Sequence, residues 1–150
     1  MSAFEALYQD LILDHAQRRV GDAELTEEPG EYEARSKQHN PLCGDRITLQ
    51  VRVVDGRVEQ VEWTGDGCAI SMASASMLTE LMRGESVVDF ESTLAVFREM
   101  MGSRGRGEPD EDTLGDAVAL HGVAQFPARI KCALLSWVAA EDAIRRSSAA

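Results

Sequence analysis

The sequence lacks several features that would assign it to a large class of proteins. No apolar run approaches the roughly 18 residues that a membrane span needs, so we expect no membrane partner. Residues 1–15, MSAFEALYQDLILDH, have neither the basic start nor the small-residue cleavage site of a secretory signal. We therefore expect a cytoplasmic protein with reduced thiols. Excess positive charge is also absent. The formal net charge of −11 disfavours nucleic acid as a partner, because a phosphate backbone would be repelled.

Cysteine is scarce as well, with three in 150 residues. Cys43, Cys68 and Cys132 are separated by 24 and 63 intervening residues, and no CxxC motif occurs. This spacing excludes a zinc ribbon and a thioredoxin-type redox motif. Three cysteines cannot all form disulfides with one another, so spacing alone leaves three buried, unreactive thiols as the default interpretation.

Apolar residues make up 44% of the chain, which is enough to form a hydrophobic core without disulfides. The sequence shows no internal repeat, and its length predicts a single domain over residues 1–150. Alternating apolar residues and an Asp55-Gly56 turn predict a β-hairpin over residues 47–63, with a bulge between Val58 and Val61. A further strand is predicted over residues 33–38.

Helices are predicted on both sides of this sheet. They cover residues 3–19, a segment that starts near Cys68 or Ser71 and stops at Gly84, residues 87–102, and a last helix that begins at Pro127. Residues 113–126 contain a short helix at most. A helix, a small antiparallel sheet and then more helices indicate the α+β class.

Each cysteine falls at the junction of predicted elements. Cys43 lies on the loop before a strand, Cys68 at the start of a helix, and Cys132 in the second turn of the last helix. Gly44 allows a sharp bend, so that Cys43 and Asp45 can point at one ion. Three thiolates and one carboxylate would complete a tetrahedral zinc site. The residues alone leave open the alternatives that Asp45 caps a turn and that the thiols are inert.

Three sequence blocks, NPLCGD, GDGCAISMASASM and FPARIKCALLSW, carry a resemblance to a known family. Together with the start LYQDLILDH, they resemble the SufU family of zinc-dependent sulfurtransferases, in the superfamily of IscU and NifU N-terminal domains. The resemblance extends over nearly the whole chain. It implies a SufE/IscU-like α+β sandwich, in which helices pack on a three-stranded antiparallel sheet.

The resemblance also implies roles for individual residues. The ligands of one zinc ion per chain would be Cys43, Asp45, Cys68 and Cys132, and Cys43 would also accept sulfur. The partner would be a pyridoxal-phosphate cysteine desulfurase of the SufS type, one of whose histidines takes the place of Cys43 on the metal. Downstream iron–sulfur assembly proteins would receive the sulfur. Arg129 would dock the desulfurase, although an arginine in a first helical turn is also consistent with simple solvation.

Two other functions are compatible with the same residues. An IscU-type scaffold would carry an iron–sulfur cluster on its cysteines. However, IscU proteins have a histidine before the third cysteine, where this chain has Lys131, and the leucine-proline-proline-valine-lysine chaperone motif is absent. An insert at residues 103–125 is also typical of SufU. A third reading is an interaction module with a structural zinc. His39 and His121 match no zinc spacing, and His15 is predicted as a packed core-edge histidine.

Overall fold

The computed structural model describes residues 3–42 and 44–148. Cys43, predicted as a zinc ligand and as the sulfur acceptor, lies outside the described residues. The elements follow in the predicted order, and their bounds are α1 Ala3–Arg18, β1 Glu33–His39, β2 Arg46–Val54, β3 Arg57–Asp66, α2 Ala69–Met82, α3 Val87–Met101, α4 Glu111–Leu114, a 3₁₀ helix Gly115–Gln125 and α5 Pro127–Ser148. The predicted α+β class is confirmed.

The sheet is antiparallel with the strand order β1-β2-β3. Asp55 and Gly56 join β2 to β3 with φ angles of 52° and 75°, which are the positive values that a two-residue hairpin turn requires. Arg52 pairs with Gln60 and Val53 pairs with Val58, so Glu59 is an extra residue in β3. The predicted bulge between Val58 and Val61 is therefore confirmed.

Helices cover the sheet, with α5 in contact with β1 and β2, and α2 in contact with α1 and α5. The ring of Trp137 on α5 stacks on Phe97 of α3 with a centroid separation of 3.9 Å. At the surface, Arg98 of α3 forms an ion pair with Glu141 of α5 at 2.8 Å. The hydrogen bond from Arg98 holds the pKa of Glu141 below its usual range. Stacking and ion pairing together fix α5, the helix that carries Cys132.

The segment after α3 is more ordered than the sequence predicts. In place of a short helix at most, α4 leads directly into an eleven-residue 3₁₀ helix. Gly115, with a φ of 51°, interrupts the helical hydrogen bonding between the two. Buried side chains of the 3₁₀ helix, including Val118 and Leu120, join the core. Apolar burial therefore orders residues whose local propensity is weak.

The register of the β2–β3 hairpin determines which loops lie next to each other. Arg46 at the start of β2 pairs with Asp66 at the end of β3. The loop before β2 and the loop that leads into α2 therefore emerge side by side, at the level of the second turn of α5. Within residues 3–42 and 44–148, no helix combines the length and the apolar character that crossing a membrane requires.

Candidate metal centre

The loop before β2 has a defined backbone geometry. Gly44 has a φ of +75°, which confirms the sharp bend that the sequence predicts there. Asn40 closes the loop, because its backbone N–H donates to the carbonyl of Asp45 at 2.9 Å and its carbonyl accepts from the N–H of Gly44 at 2.8 Å. Its side-chain Oδ1 also accepts from the N–H of Leu42 at 3.1 Å. This turn delivers Asp45 to the base of β2.

Three predicted ligands converge at this end of the sheet. One carboxylate oxygen of Asp45 and the Sγ atoms of Cys68 and Cys132 all lie within 4.8 Å of one another. Asp45 and Cys132 are buried, with exposures of 3% and 1%, and Cys68 is partly buried. The fold therefore brings together three potential metal ligands, which come from the loop before β2, the N-cap of α2 and the second turn of α5.

The separation of Cys68 Sγ and Asp45 Oδ2 is the one expected for two ligands of a zinc ion. Bonds of about 2.3 Å to sulfur and about 2.0 Å to oxygen at a tetrahedral angle place the two donors about 3.5 Å apart. The observed separation of Cys68 Sγ and Asp45 Oδ2 is 3.5 Å. Two sulfurs and one oxygen are also donors that zinc accepts in proteins. Asp45 and Cys68 thus stand at a separation that tetrahedral zinc accepts, and the Sγ of Cys132 lies within 4.8 Å of both donors.

Hydrogen bonds fix the carboxylate of Asp45. Its Oδ1 accepts from the backbone N–H of Cys68 at 3.2 Å, and its Oδ2 accepts a short hydrogen bond from Ser71 Oγ. Cys68 is the N-cap of α2, and its side chain makes no capping hydrogen bond. Asp45 thus occupies the position of an anion at a helix N-terminus, where free N–H groups and the helix dipole favour negative charge.

Ser71 is a site residue that the sequence reasoning missed. It is 2% exposed, and its Oγ lies 3.2 Å from the carbonyl of Cys132 and 3.6 Å from Cys68 Sγ. Its position three residues after Cys68, in the first turn of α2, was the available signal. Serines follow one another closely on this helix, so the sequence did not distinguish Ser71 from Ser74 and Ser76.

Gly67 leaves room for Asp45. A Cβ atom at Gly67 would lie 2.9 Å from Asp45 Cγ and 3.0 Å from its Oδ1. These separations are shorter than real Cβ contacts, so Asp45 would have to move.

We expect Gly67→Ala to displace the Asp45 carboxylate and to weaken zinc binding by roughly 10- to 100-fold, the range for a disturbed ligand shell. Competition with a chromophoric chelator measures this change. Gly84→Ala is the matched control, because Gly84 has open space around it at the opposite end of α2, and it should affect stability without affecting zinc. Wild-type zinc affinity in Gly67→Ala would contradict the steric argument.

The other residues considered for the site lie outside the group of Asp45, Cys68 and Cys132. Arg129 is exposed in the first turn of α5 and lines a mainly apolar groove of about 810 Å³, together with Tyr8, Ile70 and Phe126. Lys131 lines a second, smaller groove on the other side of Cys132, with His39 and Leu42 among its neighbours. No described histidine belongs to the Asp45 group. His121 lies apart, with its Nε2 3.0 Å from the carbonyl of Arg106.

His15 belongs to a different cluster, with Glu80 and Asp116. The imidazole is fully buried, its Nδ1 lies 2.8 Å from Ser76 Oγ and its Nε2 lies 2.9 Å from Asp116 Oδ2. Arg18 is 3.2 Å from both Nε2 and Glu80. A guanidinium in this position supplies the positive charge that a cation would otherwise bring. The prediction of a packed histidine is confirmed.

Comparison with known proteins identifies the family of this chain. A family model described as the NifU-like N terminal domain matches residues 7–133. The chain belongs to this family. The zinc-dependent sulfurtransferase SufU of Bacillus subtilis (strain 168) is 39% identical over 142 residues, which cover 95% of this chain and 92% of that protein. The predicted resemblance to SufU within the IscU/NifU superfamily is thereby confirmed.

Scaffold proteins of the family are similar too. The iron–sulfur cluster assembly scaffold protein IscU of Streptococcus pyogenes serotype M1 is 36% identical over 148 residues, which cover 99% of this chain and 89% of that protein. A crystal structure from Fervidobacterium islandicum AW-1, described as an iron–sulfur cluster assembly scaffold protein for the SUF system, superimposes with a TM-score of 0.75. The two sequences are 28% identical, and the superposition covers 92% of this chain and 96% of the Fervidobacterium chain.

Proposed function

We propose that this protein is a zinc-dependent sulfurtransferase of iron–sulfur cluster assembly, which accepts sulfur from a cysteine desulfurase of the SufS type and passes it on. The observation that carries the proposal is the convergence of Asp45, Cys68 and Cys132 within 4.8 Å. The sequence places Cys43 two residues before Asp45. Similarity to the SufU protein of Bacillus subtilis supports the sulfurtransferase over the other activities of the family. Residues 1–150 act as one domain in this proposal.

The zinc ligands in this proposal are Cys43, Asp45, Cys68 and Cys132. When bound, zinc would keep the cysteines as thiolates at neutral pH and order the loops that carry them. Cys68, at the N-cap of α2, supplies one of the sulfur donors. Asp45, held by the N–H of Cys68, supplies the oxygen donor.

Sulfur transfer is proposed to take place at Cys43. Its thiolate attacks the outer sulfur of a persulfide on the desulfurase. The partner's sulfur–sulfur bond breaks, and its electron pair leaves with the partner's cysteine as a thiolate. A new sulfur–sulfur bond forms on Cys43. One thiolate is consumed and one is released, so the step needs no external oxidant or reductant.

Arg129 is proposed to dock the desulfurase. Its exposed guanidinium lies beside an apolar groove that reaches Ile70, two residues after Cys68. Phe126 in the same groove is 59% exposed, so it offers apolar surface that a docked partner would bury. An arginine at the edge of an apolar surface suits an acidic side chain on the partner.

An IscU-type scaffold is the second candidate function, favoured by the curated scaffold relatives of the chain. Its cluster would replace zinc on the same ligands. Lys131 argues against it, because this side chain is exposed at the position where IscU proteins have a ligand histidine. A lysine is protonated at neutral pH and has no lone pair to offer a metal.

Desulfurase turnover, measured with and without this protein, tests the proposal. We expect the zinc-loaded protein to raise turnover, because removal of persulfide frees the desulfurase for its next cycle. A coloured cluster that forms on the protein when iron is added, without an effect on turnover, would support the scaffold instead. No effect in either assay would contradict both the sulfurtransferase and the scaffold function. An interaction module with a structural zinc would then be the remaining explanation.

The same assay separates docking from chemistry. Arg129→Glu should raise the protein concentration needed for half-maximal activation. Arg83→Glu is the matched control, since Arg83 is an exposed arginine at the far end of α2 from Cys68. Equal effects of the two variants would mean that net charge, and not the Arg129 groove, determines the interaction.

A further inference from the structure

The hydroxyl of Ser71 lies among the groups of the metal centre. It donates a short hydrogen bond to Asp45 Oδ2, and it lies 3.2 Å from the carbonyl of Cys132 and 3.6 Å from Cys68 Sγ. Ser71 is buried, so solvent does not compete for these contacts. One side chain thus contacts all three residues of the proposed ligand set that the structure describes.

A hydroxyl has one proton, so it can donate fully to only one acceptor. The carboxylate of Asp45 is the stronger acceptor, because hydrogen bonds to an ionised group are shorter and stronger than those to a neutral carbonyl. Both acceptors lie within hydrogen-bond reach of the Ser71 hydroxyl. The proton of Ser71 therefore belongs to Asp45.

Both oxygens of Asp45 then have an assigned donor. Oδ1 is held by the N–H of Cys68, and Oδ2 by Ser71. A carboxylate oxygen has a second lone-pair direction, and Oδ2 also accepts from the Cys68 thiol, with 3.5 Å between Oδ2 and Sγ. This separation equals that of two donors on a tetrahedral zinc ion. The hydrogen bond from Ser71 fixes the rotation of the carboxylate and leaves Oδ2 directed towards Cys68 Sγ.

We propose that Ser71 is a positioning residue, which holds Asp45 Oδ2 in its ligating orientation and so slows the loss of zinc. This inference rests on the proposed zinc site. Outer-shell hydrogen bonds of this kind orient metal ligands, and their removal typically lowers metal affinity by about 10- to 100-fold.

A purely structural role is the rival explanation, because Ser71 Oγ also lies 3.2 Å from the Cys132 carbonyl and so contacts α5. Ser74 offers the matched comparison. It lies three residues further along α2, is fully buried, and donates to the carbonyl of Ala133 on α5 at 2.6 Å. Its hydroxyl also accepts from Trp137 Nε1 at 3.0 Å, so both of its hydrogen-bond partners lie on α5 and neither is Asp45.

The test is the rate of zinc release from the purified full chain into excess chelator. Ser71→Ala should release zinc about 10- to 100-fold faster than wild type, and Ser74→Ala should release it at the wild-type rate. Cobalt-substituted protein gives a second readout. Loss of Asp45 from its ligating orientation should change the visible bands of tetrahedral cobalt in Ser71→Ala and leave them unchanged in Ser74→Ala.

A double-mutant cycle with Asp45→Ala shows whether Ser71 acts through Asp45. In the Asp45→Ala background, Ser71→Ala should have no further effect on zinc release. An undiminished effect there would mean that Ser71 acts through Cys68 or Cys132, and it would overturn the inference. So would equal effects of Ser71→Ala and Ser74→Ala, which would indicate loss of helix packing.

Two further variants keep the test decisive if Ser71→Ala does not fold. Ser71→Thr and Ser71→Val have nearly the same shape and differ in the hydroxyl. The valine variant should lose zinc about 10- to 100-fold faster than the threonine variant, and equal rates would overturn the inference.

If wild type binds no zinc, the proposed function and this inference both fail. If wild type holds zinc and the hydroxyl has no effect, this inference alone fails.

Discussion

Replacing Cys43 by alanine is expected to abolish sulfur uptake while preserving the fold. Cys132 is buried within α5 and Cys68 caps α2, so neither can leave the site without disturbing a helix. Cys43 lies on a loop in the sequence pattern, between Asn40 and Gly44, and its release requires no unwinding. Asp45, Cys68 and Cys132 remain in the variant, so zinc should still bind, although less tightly.

Peptide mass spectrometry locates the sulfur after incubation with desulfurase and cysteine and alkylation of the persulfide. Trypsin places the three cysteines on separate peptides, which cover residues 38–46, 58–83 and 132–145. In wild type, the added mass of one sulfur should map to the first of these. In Cys43→Ala, no peptide should carry it, and activation of the desulfurase should be lost.

Wild-type persulfide on the Cys68 or Cys132 peptide would contradict this assignment, as would full desulfurase activation by Cys43→Ala. Circular dichroism and zinc content of the variant supply the control. A folded, zinc-containing protein without sulfur uptake is the result that separates the acceptor role of Cys43 from a role in stability.

Cys132→Ala is expected to remove zinc, unlike Cys43→Ala, because Cys132 holds its sulfur from a buried position within α5, whereas Cys43 is the ligand that its loop is proposed to release. The stability that zinc provides should be lost with the metal. Loss of a direct ligand should lower zinc affinity by more than the roughly 100-fold upper range for outer-shell partners. Bound zinc stabilises the folded state by about 4 kcal/mol when free zinc is about 1,000 times Kd. For a chain of this length that corresponds to a Tm difference of roughly 8–16 °C.

Thermal unfolding with and without a chelator measures this contribution. Wild type should lose Tm when the chelator is added, whereas Cys132→Ala should have the same low Tm in both conditions. Ser136→Ala is the matched control, because Ser136 lies one turn further along α5, is buried, and its hydroxyl has no hydrogen-bond partner among the described residues. It should retain the chelator response. A chelator-sensitive Tm in Cys132→Ala would show that Cys132 is not a ligand.

Local sequence signals predicted most of the elements. The Asp55-Gly56 turn, the alternation along residues 47–53 and Pro127 at the start of α5 each act through neighbouring residues, and each is found in the structure. Gly44 is a similar case, because its positive φ is a property of one residue. The 3₁₀ helix at Gly115–Gln125 was underestimated, since its order depends on burial against other helices and not on its own propensity.

The candidate site divides in the same way. Asp45, Cys68 and Cys132 were identified from residue type, from their places at element ends and from a family resemblance. Ser71 was missed, because its importance depends on how α2 is rotated relative to Asp45. The side chains of Ser71, Ser74 and Ser76 are all buried, yet they point respectively to Asp45, to α5 and to His15. Nothing in a run of alternating serines distinguishes these three directions.

The sequence by itself determined the order of the elements, the turn of the hairpin and the chemical types of the candidate ligands. These properties depend on backbone preferences, apolar periodicity and side-chain chemistry within short segments. Tertiary structure alone decided which ends of the helices and strands come together. The pairing of Arg46 with Asp66 places Asp45 beside Cys68, and the packing of α5 on β1 and β2 brings Cys132 to them across 63 intervening residues. Distances of a few ångströms between residues so far apart in sequence are set by hairpin register and core packing, which no local pattern encodes.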